Sequence, residues 1–228
     1  MNNLGLLGAA LLLAGPALGW GRVTPALAAF SIFALGGLLS TVVAATGLVQ
    51  AARGRGFSGL GRTCALVGAM IFVSLSLLAT RPGGPMINDF TTDTSNPPSF
   101  QNAAGLPANQ GRNLGYDPSF APQQESCCSD LQPVRPDMPM KEAFALALAT
   151  AREMPSWTVV WNDPQAGQIE AVSQSSIFGF EDDVAIRVRD GGGKSVVDMR
   201  SKSRDGRGDL GANAARIRAY VSALEKRL

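Results

Sequence analysis

The first eighty residues contain no Asp, Glu or Lys. Their only charged side chains are Arg22, Arg53, Arg55 and Arg62, and a water-soluble fold could not build its surface from such a segment. Three apolar stretches fill it. Leu4–Gly19 is short and interrupted by Gly15-Pro16, Pro25–Gln50 runs 26 residues without a charge, and Thr63–Thr80 is an 18-residue run bracketed by Arg62 and Arg81. At a rise of about 1.5 Å per residue the last would be about 27 Å long, close to a hydrocarbon core of about 30 Å. The second and third stretches read as transmembrane helices. The first is a third helix or a signal sequence without a basic leader. No charged residue falls inside a span, so the segment reads as an anchor and carries no proton or ion path. Gly36, Gly37, Gly47 and Gly68 fit close helix packing.

Orientation follows from loop charge. Ala51–Arg62 holds Arg53, Arg55 and Arg62, whereas the preceding loop has only Arg22, so the three-arginine loop is expected in the cytoplasm. Everything after Arg81 then lies on the far side of a bacterial inner membrane.

The remainder is chemically different. The whole chain has 20 basic and 18 acidic residues, and all the acids follow residue 80. The soluble half is therefore slightly negative, which argues against nucleic acid as a partner. Histidine is absent. That removes the Ser–His–Asp triad, the Cys–His dyad, histidine-ligated zinc and a histidine pH switch.

Residues 82–136 form a Pro- and Asn-rich stretch. It is expected to be an irregular arm that lies over the folded domain and inserts Ile87, Phe90, Phe100, Tyr116 and Phe120; a disordered linker is the competing reading. Within it, Cys127-Cys128 invites a redox reading in an oxidising compartment, since adjacent cysteines close only a small, labile ring. Metal binding would need further ligands that the neighbourhood lacks. The plainer reading is incidental thiols or an intermolecular bridge.

Residues 137–228 predict an α+β domain. Pro139–Met154 has Met140, Phe144, Ala147, Leu148, Ala151 and Met154 on one helical face. Strands are expected at Trp157–Trp161, Gln168–Ser173, Asp183–Arg189 and Ser195–Ser201, with Arg187 and Arg189 facing outward and Arg187 opposite Asp198. A final helix carries Leu210, Ala214, Ile217, Val221, Leu224 and Leu228 as its stripe. The expected architecture is helix, four-stranded antiparallel sheet, helix: a two-layer sandwich behind an anchor of two to three transmembrane helices, residues 1–81.

The candidate site is the turn before the last helix. Arg200, Arg204, Arg207 and Arg216, with Asn213, gather around Gly206, Gly208 and Gly211 at a helix N-terminus, a pattern suited to binding an anion. The competing reading has Asp209 capping the helix while Arg204, Arg207 and Arg216 pair with Asp182, Asp183 and Asp209. Adjacent Asp182 and Asp183 point to opposite strand faces, so they are poorly placed as a catalytic pair.

Four spaced segments, Ile87-Asn-Asp-Phe-Thr-Thr-Asp93, Asn96-Pro-Pro98, Phe178-Gly-Phe-Glu-Asp-Asp-Val184 and Arg200-Ser-Lys-Ser-Arg204 with Asp209 to Ile217, resemble the bacterial family termed domain of unknown function 1499. The resemblance covers roughly Pro85–Leu228 and implies an envelope-associated domain, with no activity, cofactor or catalytic residue to transfer. The reading that follows is a membrane-anchored envelope protein, without catalytic, cofactor or metal residues. Its partners are the lipid bilayer and an envelope protein or anionic ligand. Two alternatives are a histidine-free hydrolase using Asp89, Asp93, Asp182 or Asp183, and a subunit of a larger membrane assembly.

Overall fold

The computed structural model describes residues 1–54, 59–79 and 86–228. Arg55 and Arg81, on which part of the topology argument rests, lie outside them. The chain divides into two compact units: Met1–Pro82 with Ser175–Phe180, and Gly83–Gln174 with Glu181–Leu228.

In the first unit three helices, α1 (Asn2–Trp20), α2 (Ala26–Ala52) and α3 (Leu60–Ala79), are long and apolar enough to cross a membrane. The weak first stretch is therefore a helix throughout its length, with Pro16 inside it. Small residues make the contacts: α1 buries Gly5, Gly8, Gly15 and Gly19, and α2 buries Ala29, Gly36, Gly37, Ser40, Ala44 and Gly47. Their lack of bulk lets backbones approach closely where lipid supplies no hydrophobic drive between helices. The hexapeptide of this unit places the Phe178 ring 5.4 Å from Phe30 and 5.6 Å from Phe33.

The second unit is built on an antiparallel sheet of five strands in the order β1-β5-β4-β3-β2. Four are the expected ones, slightly longer: β2 (Trp157–Asp163), β3 (Gln168–Gln174), β4 (Glu181–Asp190) and β5 (Ser195–Ser203). The fifth corrects the four-stranded expectation. β1 (Asp89–Thr91) comes from the arm and pairs with β5, Asp89 opposite Lys202 and Thr91 opposite Arg200. Three residues are too few to show a strand period. Val134 continues that edge by an isolated bridge to Val197, so the free edge of β5 is covered by arm segments.

One sheet face is apolar. Val184, Ile186, Val188, Val197 and Met199 pack against α5 (Met140–Glu153) and α6 (Ala212–Glu225). Phe144, Ala147 and Ala151 of α5 and Ala214, Ile217 and Leu224 of α6 are buried there, as the 3.6-residue periodicity requires. Tyr220 stacks on Trp157 at 5.6 Å and donates its hydroxyl to the Ala147 carbonyl. The α6 stripe is shorter than the sequence suggests. Leu210 and Gly211 both have positive φ, so the helix begins at Ala212 and Leu210 is thrown out to 72% exposure.

The opposite face is charged, and it is not left to water. The arm crosses it through two 3₁₀ turns (Ala103–Gly105 and Pro107–Asn109), inserting Phe100, Ala103, Leu106 and Leu114 against Ala185. The domain is thus helices, sheet and arm, which replaces the two-layer sandwich. Ile87, Phe90 and Phe100 are buried as expected of an ordered arm, while Tyr116 and Phe120 are half-buried. A nine-residue helix from the same stretch, α4 (Phe120–Cys128), clamps the new strand: Gln124 accepts from Thr91 N–H at 3.0 Å and donates to Thr91 C=O at 2.6 Å.

Candidate functional site

Strand alternation puts Asp183, Arg187, Asp198, Arg200 and Lys202 on the face beneath the arm, and each charge finds a partner there. Asp89 takes Arg200 Nε and Nη2 at 2.8 and 2.7 Å and Lys202 Nζ at 2.9 Å. Arg200 spends its other donors on the Pro98 and Leu114 carbonyls and lies 4.8 Å from the Phe100 ring centroid and 5.5 Å from that of Tyr116. Burial first, then the negative charge of Asp89, pushes the Tyr116 hydroxyl up to about 12.

Asp183 receives Arg204 Nε and Nη2 at 3.0 and 2.7 Å on one oxygen, and Asn109 and Arg112 on the other. Arg204 also pairs with Glu181. Asp198 receives Arg187 and Arg189 on a single oxygen, at 2.8 and 2.9 Å, and its second oxygen is buried without a partner. The register Arg187 opposite Asp198 is as expected, but Arg187 does not face solvent: the arm covers it to 14% exposure. Glu170, fully buried, accepts the backbone N–H groups of Gln101, Asn102 and Ala103 and so fixes the start of the first 3₁₀ turn.

Across the sheet, Asp182 faces the helices and binds Arg216 at 2.5 Å, so the adjacent carboxylates of Asp182 and Asp183 do serve opposite faces. Arg216 also reaches Ser201 and Asn213, while Asn213 donates to Ser203 at 2.8 Å. Asp209 caps α6 by accepting from Gly211 and Asn213 N–H at 2.9 and 2.7 Å; burial nonetheless raises its carboxyl above the ordinary value.

The five residues proposed from sequence therefore occupy three places. Arg200 and Arg204 are bound to Asp89 and Asp183 on the arm-covered face, and Asn213 and Arg216 share one hydrogen-bond group on the helix side. Arg207 is exposed and, among the described residues, forms no ion pair. Of the four aspartates considered for hydrolysis, Asp89, Asp182 and Asp183 are held by different arginines. Asp93 borders an opening.

That opening is a polar cavity of about 340 Å³ between the arm, α4 and the end of β4, lined by Asp93, Gln124, Glu125, Cys128, Arg135 and Arg189 among others. Burial would raise the Asp93 carboxyl, but the Ser95 hydroxyl, Asn96 N–H, Arg187 and Arg189 together outweigh it and hold it below the usual range. Arg135 is exposed and, among the described residues, has no ion-pair partner. Cys128 shows its buried flank here, joined to Cys127 in a disulfide. That bond replaces the incidental thiols expected from sequence. Among the described residues no cluster of three or more Cys, Asp or Glu could hold a metal ion.

Sequence reading missed Glu170, Asn109, Arg112 and Gln124. The charges on the second sheet face carried a signal, since they alternate with the apolar core positions, but that alternation is equally the mark of a solvated face.

Fold and site together define three helices of membrane-spanning character followed by an α+β domain with one sheet face buried under apolar helices and the other under an ion-paired arm. Residues 89–224 match the family model described as "Protein of unknown function (DUF1499)", and the chain belongs to that family. Neither a curated protein nor a solved structure matches it.

Proposed function

We propose that this is a membrane-anchored protein of the bacterial inner membrane whose domain, outside the cytoplasm, is a non-catalytic module that binds an anionic ligand or an anionic group on an envelope partner. The observation that carries this reading is the 340 Å³ cavity with the unpaired Arg135 at its wall and Arg189 40% exposed beside it. A guanidinium at a cavity wall without a carboxylate partner among the described residues is available to a ligand. Arg207, exposed on the turn before α6, offers a second anionic contact, while Arg200, Arg204, Asn213 and Arg216 maintain the frame. The location rests on the apolar helices and on Arg53, Arg55 and Arg62.

The test is thermal unfolding of the full-length protein in detergent micelles with inorganic phosphate and with citrate, beside the variants Arg135→Gln and Arg207→Gln. An anion present at about a hundred times its Kd would add about 2.7 kcal/mol. The cavity reading expects stabilisation that Arg135→Gln removes and Arg207→Gln leaves. Loss only in Arg207→Gln would move the site to the turn, and stabilisation equal in all three proteins would count against both places.

A further inference from the structure

We propose that Cys127–Cys128 is a reversible thiol–disulfide exchange site, with the exposed Cys127 sulfur as the point of attack for a dithiol. The pair joins neighbours in sequence, so it closes the smallest loop a chain can close and constrains the unfolded chain least of any disulfide. A bond serving as a staple would tie distant segments, and here those ties are already made by other means, by Gln124 to Thr91 and by Val134 to Val197.

The two sulfurs are placed differently. Cys127 is exposed at the C-terminal end of α4, whereas Cys128 is 8% exposed and belongs to the apolar core with Leu131 and Val134. An incoming thiolate therefore meets Cys127. Both redox states also suit the surroundings. The Cys127 sulfur lies 3.4 Å from the Gln124 carbonyl oxygen, so a thiol formed there has an acceptor in place. Cys128 as a thiol is a small apolar side chain in an apolar setting.

The chemistry balances in two steps. One thiolate of the dithiol attacks Cys127 Sγ; the Cys127–Cys128 bond breaks and its electron pair leaves on Cys128 Sγ, which takes a proton from water in the cavity it lines. The second thiolate of the dithiol then attacks the dithiol's own sulfur in the mixed disulfide and releases Cys127, which is protonated in turn. The dithiol loses two electrons and two protons, and the protein disulfide becomes two thiols. Arg135 and Arg189 line the cavity with Cys128 and favour the departing thiolate, with Asp93 and Glu125 on the same wall opposing them. The proposal is independent of whether that cavity holds an anion.

The experiment uses full-length protein carrying Cys64→Ser, in detergent micelles, quenched with N-ethylmaleimide without reductant and mapped by peptide mass. Neither Cys127 nor Cys128 should be labelled as isolated, both should be labelled after equilibration with reduced dithiothreitol, and oxidised dithiothreitol should restore protection. With Cys128→Ser, the remaining Cys127 should form a mixed disulfide with oxidised glutathione at least about tenfold faster than Cys128 does in Cys127→Ser, because access governs exchange. Reduction should shift Tm by less than about 2 °C, as small stability changes do in a domain of this size. Labelling of both cysteines in the untreated protein, equal rates in the two variants, or a fall in Tm of about 8 °C or more on reduction would each overturn the proposal.

Discussion

Arg200 grips Asp89 with two nitrogens at 2.8 and 2.7 Å across 111 residues of sequence, and the two side chains are 3% and 0% exposed. This pair is what fastens the arm's strand β1 to the sheet from the charged side, as Gln124 does from the helix α4 side. Removing one partner leaves the other charge buried and uncompensated, a loss of about 3–5 kcal/mol. Asp89→Asn should show it in urea unfolding of the full-length protein. The triple replacement Asp89→Leu, Arg200→Met and Lys202→Met should recover a substantial part of the loss, because it removes all three charges of the cluster; a triple variant no better than the single one would contradict the buried-charge argument.

Arg204 and Arg207 differ in role although they stand three residues apart. Arg204→Gln strips Asp183, which is 1% exposed, of its principal partner and should lower stability by about 3 kcal/mol or more. Arg207→Gln touches an exposed side chain and should stay within about 0.5 kcal/mol. Chemical denaturation of both variants checks this, and equal losses would mean that the turn is organised differently.

Ile217 is fully buried between α6 and the sheet, and Val221 is half-buried at the margin of the same cluster. Ile217→Ala should therefore cost about 2–4 kcal/mol, with Val221→Ala clearly less. A loss below about 0.5 kcal/mol at Ile217, the size of a surface effect, would place α6 outside the core.

The chain has two tyrosines, and burial raises both hydroxyls, Tyr116 to about 12 and Tyr220 further still. Each holds its proton in the folded state at pH values where an unfolded tyrosine, near 10, has lost it. The resulting stability is fully present below pH 10 and is lost as pH rises from 10 towards 12. Absorbance at 295 nm should show almost no tyrosinate at pH 10.5 in the folded protein and both groups about three-quarters ionised in urea. A normal titration of one tyrosine in the folded protein would show that Tyr116 is not enclosed by the arm.

For topology, a reporter that works only outside the cytoplasm, fused after Leu228, should be active. Activity from a reporter restricted to the cytoplasm would reverse the orientation inferred from Arg53, Arg55 and Arg62.

Local patterns were enough for the elements that bury one face. The apolar spans before residue 80 announce membrane-length helices because lipid tolerates no charge along them. The alternation in β4 and β5 announces both strands and the partnership of Arg187 with Asp198, since a period of two and a short hairpin leave one register. The spacing of Ala214, Ile217 and Leu224 likewise announces α6, although not its start, which the positive φ of Leu210 and Gly211 decides.

Tertiary structure alone decided the rest. Asp89 becomes a strand residue only because Arg200 and Lys202, more than a hundred positions away, neutralise it. Glu170 and Asp198 look like solvent-facing charges until the arm folds over them, supplying N–H groups to Glu170 and covering the pairing of Asp198 with Arg187 and Arg189 of the neighbouring strand. Whether a charged side chain lies in water or in a buried pair depends on which distant segment covers it, and a period of two records only the side of the sheet on which it stands.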